Sequence, residues 1–403
     1  MANEYQSRVY ELQSFTGTPG VVQSLQYDLR GLPYGQRVAA FMLVADCSLS
    51  YNAGQGQPAN IRTDNYQLAS NLLGQFDHQS SFFKVRATGA GLYRLFQHMN
   101  GRSLQDDQVF LTSGQGSTPA RAAVVIPLQD TVQFAPTDTA IPTELINGTS
   151  LQLVTTGAAL SSIPFVDQNG QTVQNPNVSG TIVYRLFACL IEGSGAIDPT
   201  PTAIDYEDWG GQTILLAPGA YTHLMVYRDP LAQGGGGNIT MSNNGDLSRV
   251  TWNIRGAPVV QNVFSWALAL DYNRNVVAGG FVDNDREQLN STAVPFVPIY
   301  TPPSKYKLTG VPQTSSPDSI IQLNGNLTYF RVLYRRVPHK TEQQVRTAAQ
   351  AFGLESFSRD IKTASKLPVA KGSNAAADVK KRAELSRILP GRLAGRKTFA
   401  RKP

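Results

Sequence analysis

Two stretches of this chain repeat each other. "LPYGQRVAAFMLV" (Leu32 to Val44) and "LAPGAYTHLMVYR" (Leu216 to Arg228) each carry a proline and a glycine into an apolar run. That is the pattern of a turn delivering chain into a buried strand. Set with Gly35 opposite Gly219, the two place Met42 and Val226 among the core candidates. A second echo follows in the same order. "TIVYRLFACLIE" (Thr181 to Glu192) matches "LTYFRVLYRRVP" (Leu327 to Pro338), with Tyr184-Arg185-Leu186-Phe187 opposite Phe330-Arg331-Val332-Leu333. The separations are 184 and 146 residues, so the pattern predicts a duplicated domain whose second copy has the shorter loops.

The rest of the body reads as short strands. "SSFFKVRAT", "AAVVIPLQ", "SLQLVTT", "QTILLAP", "LSRVTWNIRG" and "FSWALALDY" are separated by turn formers such as "NAGQGQP", "DQNGQ" and "SNNGD". With 35 Gly and 24 Pro scattered along 403 residues, the chain turns often and is too long for one core. Helical spacing is confined to "NYQLASNLLGQF" and "GAGLYRLFQHMNG". The expected fold class is all-β: two tandem eight-stranded jelly-roll β-sandwiches, a double jelly roll, with a basic, partly helical C-terminal tail. The expected boundaries are 1–19 for an N-terminal arm, 20–195 for the first jelly roll, 196–338 for the second and 339–403 for the tail.

Chemistry-bearing motifs are scarce. Four histidines, His78, His98, His223 and His339, show no zinc-ligand spacing, and there is no Gly-x-Ser-x-Gly elbow or phosphate loop. "VDNDREQ" sets Asp283, Asp285 and Glu287 at alternating positions but lacks the glycine and terminal acid of a calcium loop. "DYEDW" offers Asp205, Glu207 and Asp208, a source for a glycosidase carboxylate pair in principle, although acidic loop residues are more often just solvated. Trp209 beside them is the one place a glycan-binding aromatic suggests itself. No catalytic, cofactor or metal residue is assigned, and the chain is expected not to be an enzyme. Cys47 and Cys189 lie in apolar strand-like runs, as buried free thiols do, so the fold does not depend on disulfides. The N-terminus lacks the pattern of a signal peptide, and no apolar run reaches the ~18 residues that span a bilayer. The five Asn-x-Ser/Thr sequons therefore have no secretory context.

Charge is unevenly placed. Only 16% of residues are charged, yet residues 340–403 hold 15 Lys+Arg against 5 Asp+Glu, a net of +10, leaving the body at −4. The tail also changes character, with helix-compatible spacing in "TEQQVRTAAQAFGLESFSRDI" and "AAADVKKRAELSRIL". Such a tail suits contact with a polyanion, either nucleic acid or an anionic membrane surface. The candidate contact residues are Lys380, Lys381, Arg382, Arg387, Arg392, Arg396, Lys397, Arg401 and Lys402.

Over residues 20 to 336 the chain resembles the double jelly-roll major capsid proteins of tailless icosahedral viruses with an internal membrane, the tectivirus and corticovirus type. The likeness rests on "YDLRGLPYGQRVAAFMLVADCSLSY", similar to the first strand of those proteins, and on "NLLGQFDHQSSFFKVRATGAGLYRLFQHMNG", similar to their following strand and helix. The resemblance implies a bacteriophage-type virion shell protein, made in the host cytoplasm, that forms pseudo-hexagonal homotrimers and then a capsid lattice with other virion proteins. Its tail would lie on the inner face against membrane, genome or neighbouring capsomers. The alternatives are a receptor- or glycan-binding tandem β-sandwich and a minor capsid or vertex protein of the same fold.

Overall fold

A computed structural model describes residues 6–100, 108–128, 140–192, 204–211, 213–216, 219–230, 232, 239–240, 247–254, 257–264, 267–268, 293–294, 296–299, 313–314, 319–325 and 327–338. The whole basic tail, His339, "VDNDREQ" and the glycine run at 234–237 lie outside them.

Among the described residues, sixteen of the strands make two rolls, and shorter ones lie in the connections between them. In the first they are β1 (Gln6–Gly17), β2 (Ser24–Asp28), β3 (Arg37–Tyr51), β4 (Gln75–Gln79), β5 (Phe83–Thr88), β6 (Thr118–Pro127), β7 (Ser150–Val154) and β8 (Val178–Glu192). In the second they are β9 (Ile204–Gly210), β10 (Thr213–Leu215), β11 (Gly219–Arg228), β12 (Leu247–Ile254), β13 (Ala257–Phe264), β14 (Phe296–Pro298), β15 (Ser319–Gly325) and β16 (Phe330–Pro338). The first roll's sheets run β1-β8-β3-β6 and β2-β7-β4-β5; the second's run β9-β16-β11-β14 and β10-β15-β12-β13. Each strand of the first roll thus has its counterpart eight places on, in the same sheet position. This is the Greek-key order of a jelly roll, given twice.

The pairing register repeats as well. β8 on β3 matches Phe187 with Met42 and Leu186 with Leu43, while β16 on β11 matches Leu333 with Met225 and Val332 with Val226. Both ladders slip by one residue at the same point. The slip falls at Cys189/Leu190 in the first roll and at Tyr221/His223 in the second, so that Ala39 and Thr222 are the extra residues. The structural offset between β3 and β11 is therefore 183 residues, which sets Met42 on Met225 rather than on Val226. The echo seen in the sequence is real, and its alignment on Gly35 and Gly219 is corrected by one residue. Gly35 serves its own turn at φ 76°, where its N–H donates to Glu144 Oε1 at 2.5 Å.

The segment set apart as an arm holds β1, the first strand of the roll, paired along β8 from Gln6↔Glu192 to Gly17↔Ile182. Arg37–Tyr51, likened to a first strand, is the third. The alternating burial of "RVAAFMLVADCSLSY" explains why it dominates the sequence signal: Phe41, Leu43, Ala45, Cys47, Leu49 and Tyr51 all point into the core. β1 carries a weaker pattern, with Arg8 to Glu11 all exposed, because much of its surface faces out of this chain.

The two predicted helices form as α1 (Asn65–Leu72) and α2 (Gly89–Asn100). Asp64 caps α1 by accepting from the Gln67 N–H at 2.7 Å. α2 follows β5 and packs on β6, β5 and β11, which places it where the rolls meet.

A parallel pair, β5 on β9, joins the two rolls, and through it one continuous sheet runs β2-β7-β4-β5-β9-β16-β11-β14. The first core accordingly takes in Ile204, Tyr206, Met225, Tyr227 and Leu333 from the second roll. The second roll keeps its own core around Trp252, Val226, Val250, Ile321 and Tyr334.

Candidate functional site

The densest chemistry in the described structure lies on β9, at that junction. Asp205, Glu207 and Asp208 are not solvated loop acids. Each is built into the strand and tied to a cation or donor on a neighbouring one. Arg336 of β16 pairs with Asp205, Lys84 of β5 and the Tyr334 hydroxyl both reach Glu207, and Arg331 Nε donates to Asp208 Oδ1 at 2.8 Å. Asp208 Oδ2 accepts from the Tyr227 hydroxyl at 2.5 Å and from the Thr88 N–H at 3.2 Å, which makes it the point where both rolls meet. The Tyr206 hydroxyl donates to Pro127 O across the same seam and receives Arg335 Nε at 3.1 Å.

Burial sets the electrostatics. Desolvation raises the Asp208 and Asp205 carboxyls above their ordinary range, with Arg331 and Arg336 pulling the other way. Burial also acts on Glu207, but its hydrogen bonds from Lys84 and Tyr334 more than offset it, and its carboxyl sits low. The Tyr227 hydroxyl, buried beside Asp208, is held well above its usual value. Every acid is committed to a structural partner, so these carboxylates offer no acid–base pair to a substrate. Trp209 stands 46% exposed at the end of the strand, with its indole N–H 3.4 Å from the Tyr334 hydroxyl.

The arginine contact has a twin in the first roll. Arg185 of β8, the counterpart of Arg331, donates to Glu11 Oε1 at 3.0 Å and lies 3.7 Å from Asp46. Arg331 likewise lies 3.4 Å from Asp229. By register Glu11 corresponds to Asp208 and Asp46 to Asp229. Both rolls thus hold one arginine on the last strand between an acid on the first strand and an aspartate of the third-strand line, Asp46 within β3 and Asp229 just past the end of β11.

The histidines fall elsewhere. His78 is buried and stacked on Phe83 at 4.8 Å, its Nδ1 at 2.8 Å from Ser150 O, and burial lowers its pKa. It borders an open polar hollow shared with Gln26, Asp77 and Gln152. His98 of α2 and His223 of β11, far apart in sequence, meet edge to face at 5.2 Å. Among the described residues no group of three or more His, Cys, Asp or Glu side chains is arranged to hold a metal ion. Cys47 is buried and Cys189 partly so, both as free thiols.

No protein-family model matches the chain, and no curated protein does. Solved structures do. VP54 of PBCV-1, whose crystal structure was fitted into a reconstruction of the virophage Sputnik, superposes with a TM-score of 0.51 at 10% identity, over 83% of this chain and 94% of that one. The MCP of Sulfolobus turreted icosahedral virus, STIV, gives 0.49 at 16% identity over 83% and 97%. The major capsid protein of bacteriophage PM2 gives 0.42 at 9% over 84% and 99%. With eight strands in the same order and register in each half, and this likeness to VP54, the chain has the double jelly-roll fold known among virus capsid proteins.

Proposed function

We propose that this protein is a building block of an icosahedral virion shell. The observation that carries the reading is the repeat of one roll, in register, within a single chain whose two rolls share one sheet. A chain with two like halves presents nearly equivalent edges at each end. Head-to-tail contacts between such ends generate closed rings when the rotation closes. Three chains would give six rolls, a homotrimer of pseudo-hexagonal outline that tiles a shell. The junction acids support a structural rather than catalytic reading, because each is tied to a cation or hydroxyl inside the fold.

On this reading the tail, including Lys380, Lys381, Arg382, Arg387, Arg392, Arg396, Lys397, Arg401 and Lys402, lies on the inner face. Its net charge of +10 per chain suits an anionic membrane, the genome or an acidic neighbouring capsomer. Domain limits near 195 and 338 leave it outside both rolls. The test is assembly of the full chain against a version ending at residue 339. The expected result is soluble oligomers from both and closed shells only from the full chain. Normal particles from the shortened chain would overturn the role given to the tail, and a strictly monomeric full chain at assembly concentrations would overturn the shell.

A further inference from the structure

The junction inside the chain is a template for a contact outside it. β9 has β16 on one edge and β5 of the other roll on its second edge. β1, its counterpart, has β8 on one edge, and its second edge is unpaired among the described residues. β5 has β4 on one edge and β9 on the other, whereas among the described residues its counterpart β13 has β12 alone. Each open edge is thus the equivalent of an edge that is filled within the chain, and the two are complementary to each other.

Burial at matched positions shows how far β1 falls short of its twin. Tyr206 and Glu207 are 0% and 6% exposed, while their counterparts Val9 and Tyr10 are 62% and 41% exposed. The Asp208 side chain is fully buried; that of Glu11 is 41% exposed. Exposed Val and Tyr side by side on an unpaired strand edge are what negative selection against aggregation ordinarily removes. Their retention fits a surface that is covered.

We propose that the β1 edge is filled by β13 of a second copy of this chain, as a parallel strand pair that repeats the β5–β9 seam. This rests on the self-assembly reading above and names its contact. The in-chain register of Tyr206 on Val85 and Glu207 on Arg86 then sets Val9 against Val260 and Tyr10 against the bulged Gln261–Asn262 step of the second copy. Charge agrees. Phe264 ends β13 as Thr88, the residue that reaches Asp208, ends β5, and matching the two strands at these ends sets the register given; the Arg249 guanidinium lies 3.8 Å over the Phe264 ring. The second copy therefore brings a cation toward Glu11, whose own arginine is already shared with Asp46.

The test is a disulfide trap in the full chain. Tyr10→Cys with Gln261→Cys is oxidised mildly, beside each single variant and the unaltered chain, and oligomer mass is read in parallel by light scattering. The expected result is a covalent ladder ending in a closed ring for the double variant alone. An oligomer of unchanged mass with no cross-link would overturn the strand contact and leave the shell reading standing. A monomer from the unaltered chain would overturn both. As a second readout, Val9→Asp places a charge at a residue exposed within the single chain, so the fold and its circular dichroism should be kept. The oligomer should dissociate at a concentration at least ~10-fold higher; unchanged dissociation would also overturn the contact.

Discussion

Arg331 Nε donates to Asp208 Oδ1 at 2.8 Å, holding the last strand of the second roll to its first. Arg185 bridges the same pair of strands in the first roll, donating to Glu11 through Nη1 at 3.0 Å. The same pairing of strands thus occurs twice, once against the neighbouring roll with a fully buried acid and once with a partly exposed one.

That difference predicts unequal costs. Removing one partner of a buried ion pair strands the other charge and typically costs about 3–5 kcal/mol, whereas an exposed pair is worth about 0–1 kcal/mol. Arg331→Ala should therefore lower the urea midpoint far more than Arg185→Ala in the unassembled chain. Equal shifts would contradict the burial assignment.

Gly91 lets the rolls approach. A Cβ there would stand 2.7 Å from the Tyr227 hydroxyl and 3.1 Å from Thr88 Oγ1. Gly91→Ala should destabilise by about 1–3 kcal/mol, the usual scale of overpacking. The ring Cζ of Tyr227 is almost as close, at 2.8 Å, so the clash is relieved in a Tyr227→Leu background, which removes both atoms, and there the same change should cost less. Additive costs in this double-mutant cycle would refute direct contact.

Glu207 supplies a pH signature. Its folded pKa lies below the ordinary value of 4.5, so its contribution is present above that value and lost as pH falls through the folded pKa. The stability margin of the native chain over Glu207→Gln should be full at neutral pH and fall away as the pH drops below 4.5 and through the folded pKa. A margin that grew on acidification would reverse the assignment.

The thiols should differ in reactivity. Burial, with Asp46 nearby, pushes Cys47 up to about 12, and Cys189 is raised by its partial burial. Iodoacetamide at neutral pH should label Cys189 first and reach Cys47 only on unfolding. Peptide mapping by mass spectrometry reads the order.

The sequence revealed the duplication but not the seam. Both echoes fall on true counterparts, β3 with β11 and β8 with β16, because buried strands at the centre of a sheet carry a strong apolar signature. The one-residue error in the first echo arises because the glycines belong to turns, while the ladder is set by the bulges at Ala39 and Thr222. β1 escaped notice since a strand half-covered within its own chain shows little alternation. The acids of "DYEDW" looked solvated because their partners Lys84, Arg331 and Arg336 lie 123 to 131 residues away, beyond any local pattern.

The pairing of Gln6 with Glu192 also governs how the chain is made. At translation rates of about 5–20 residues per second, β1 leaves the ribosome roughly 10–40 s before its partner exists. Throughout that interval an edge bearing Val9 and Tyr10 has nothing to pair with, and nascent chains on one polysome present the same edge to each other. The first roll closes only when its eighth strand arrives, which makes folding late and dependent on distant contacts. Yield from rapid expression should therefore be limited by what shields this strand while synthesis proceeds, more than by the stability of the finished protein.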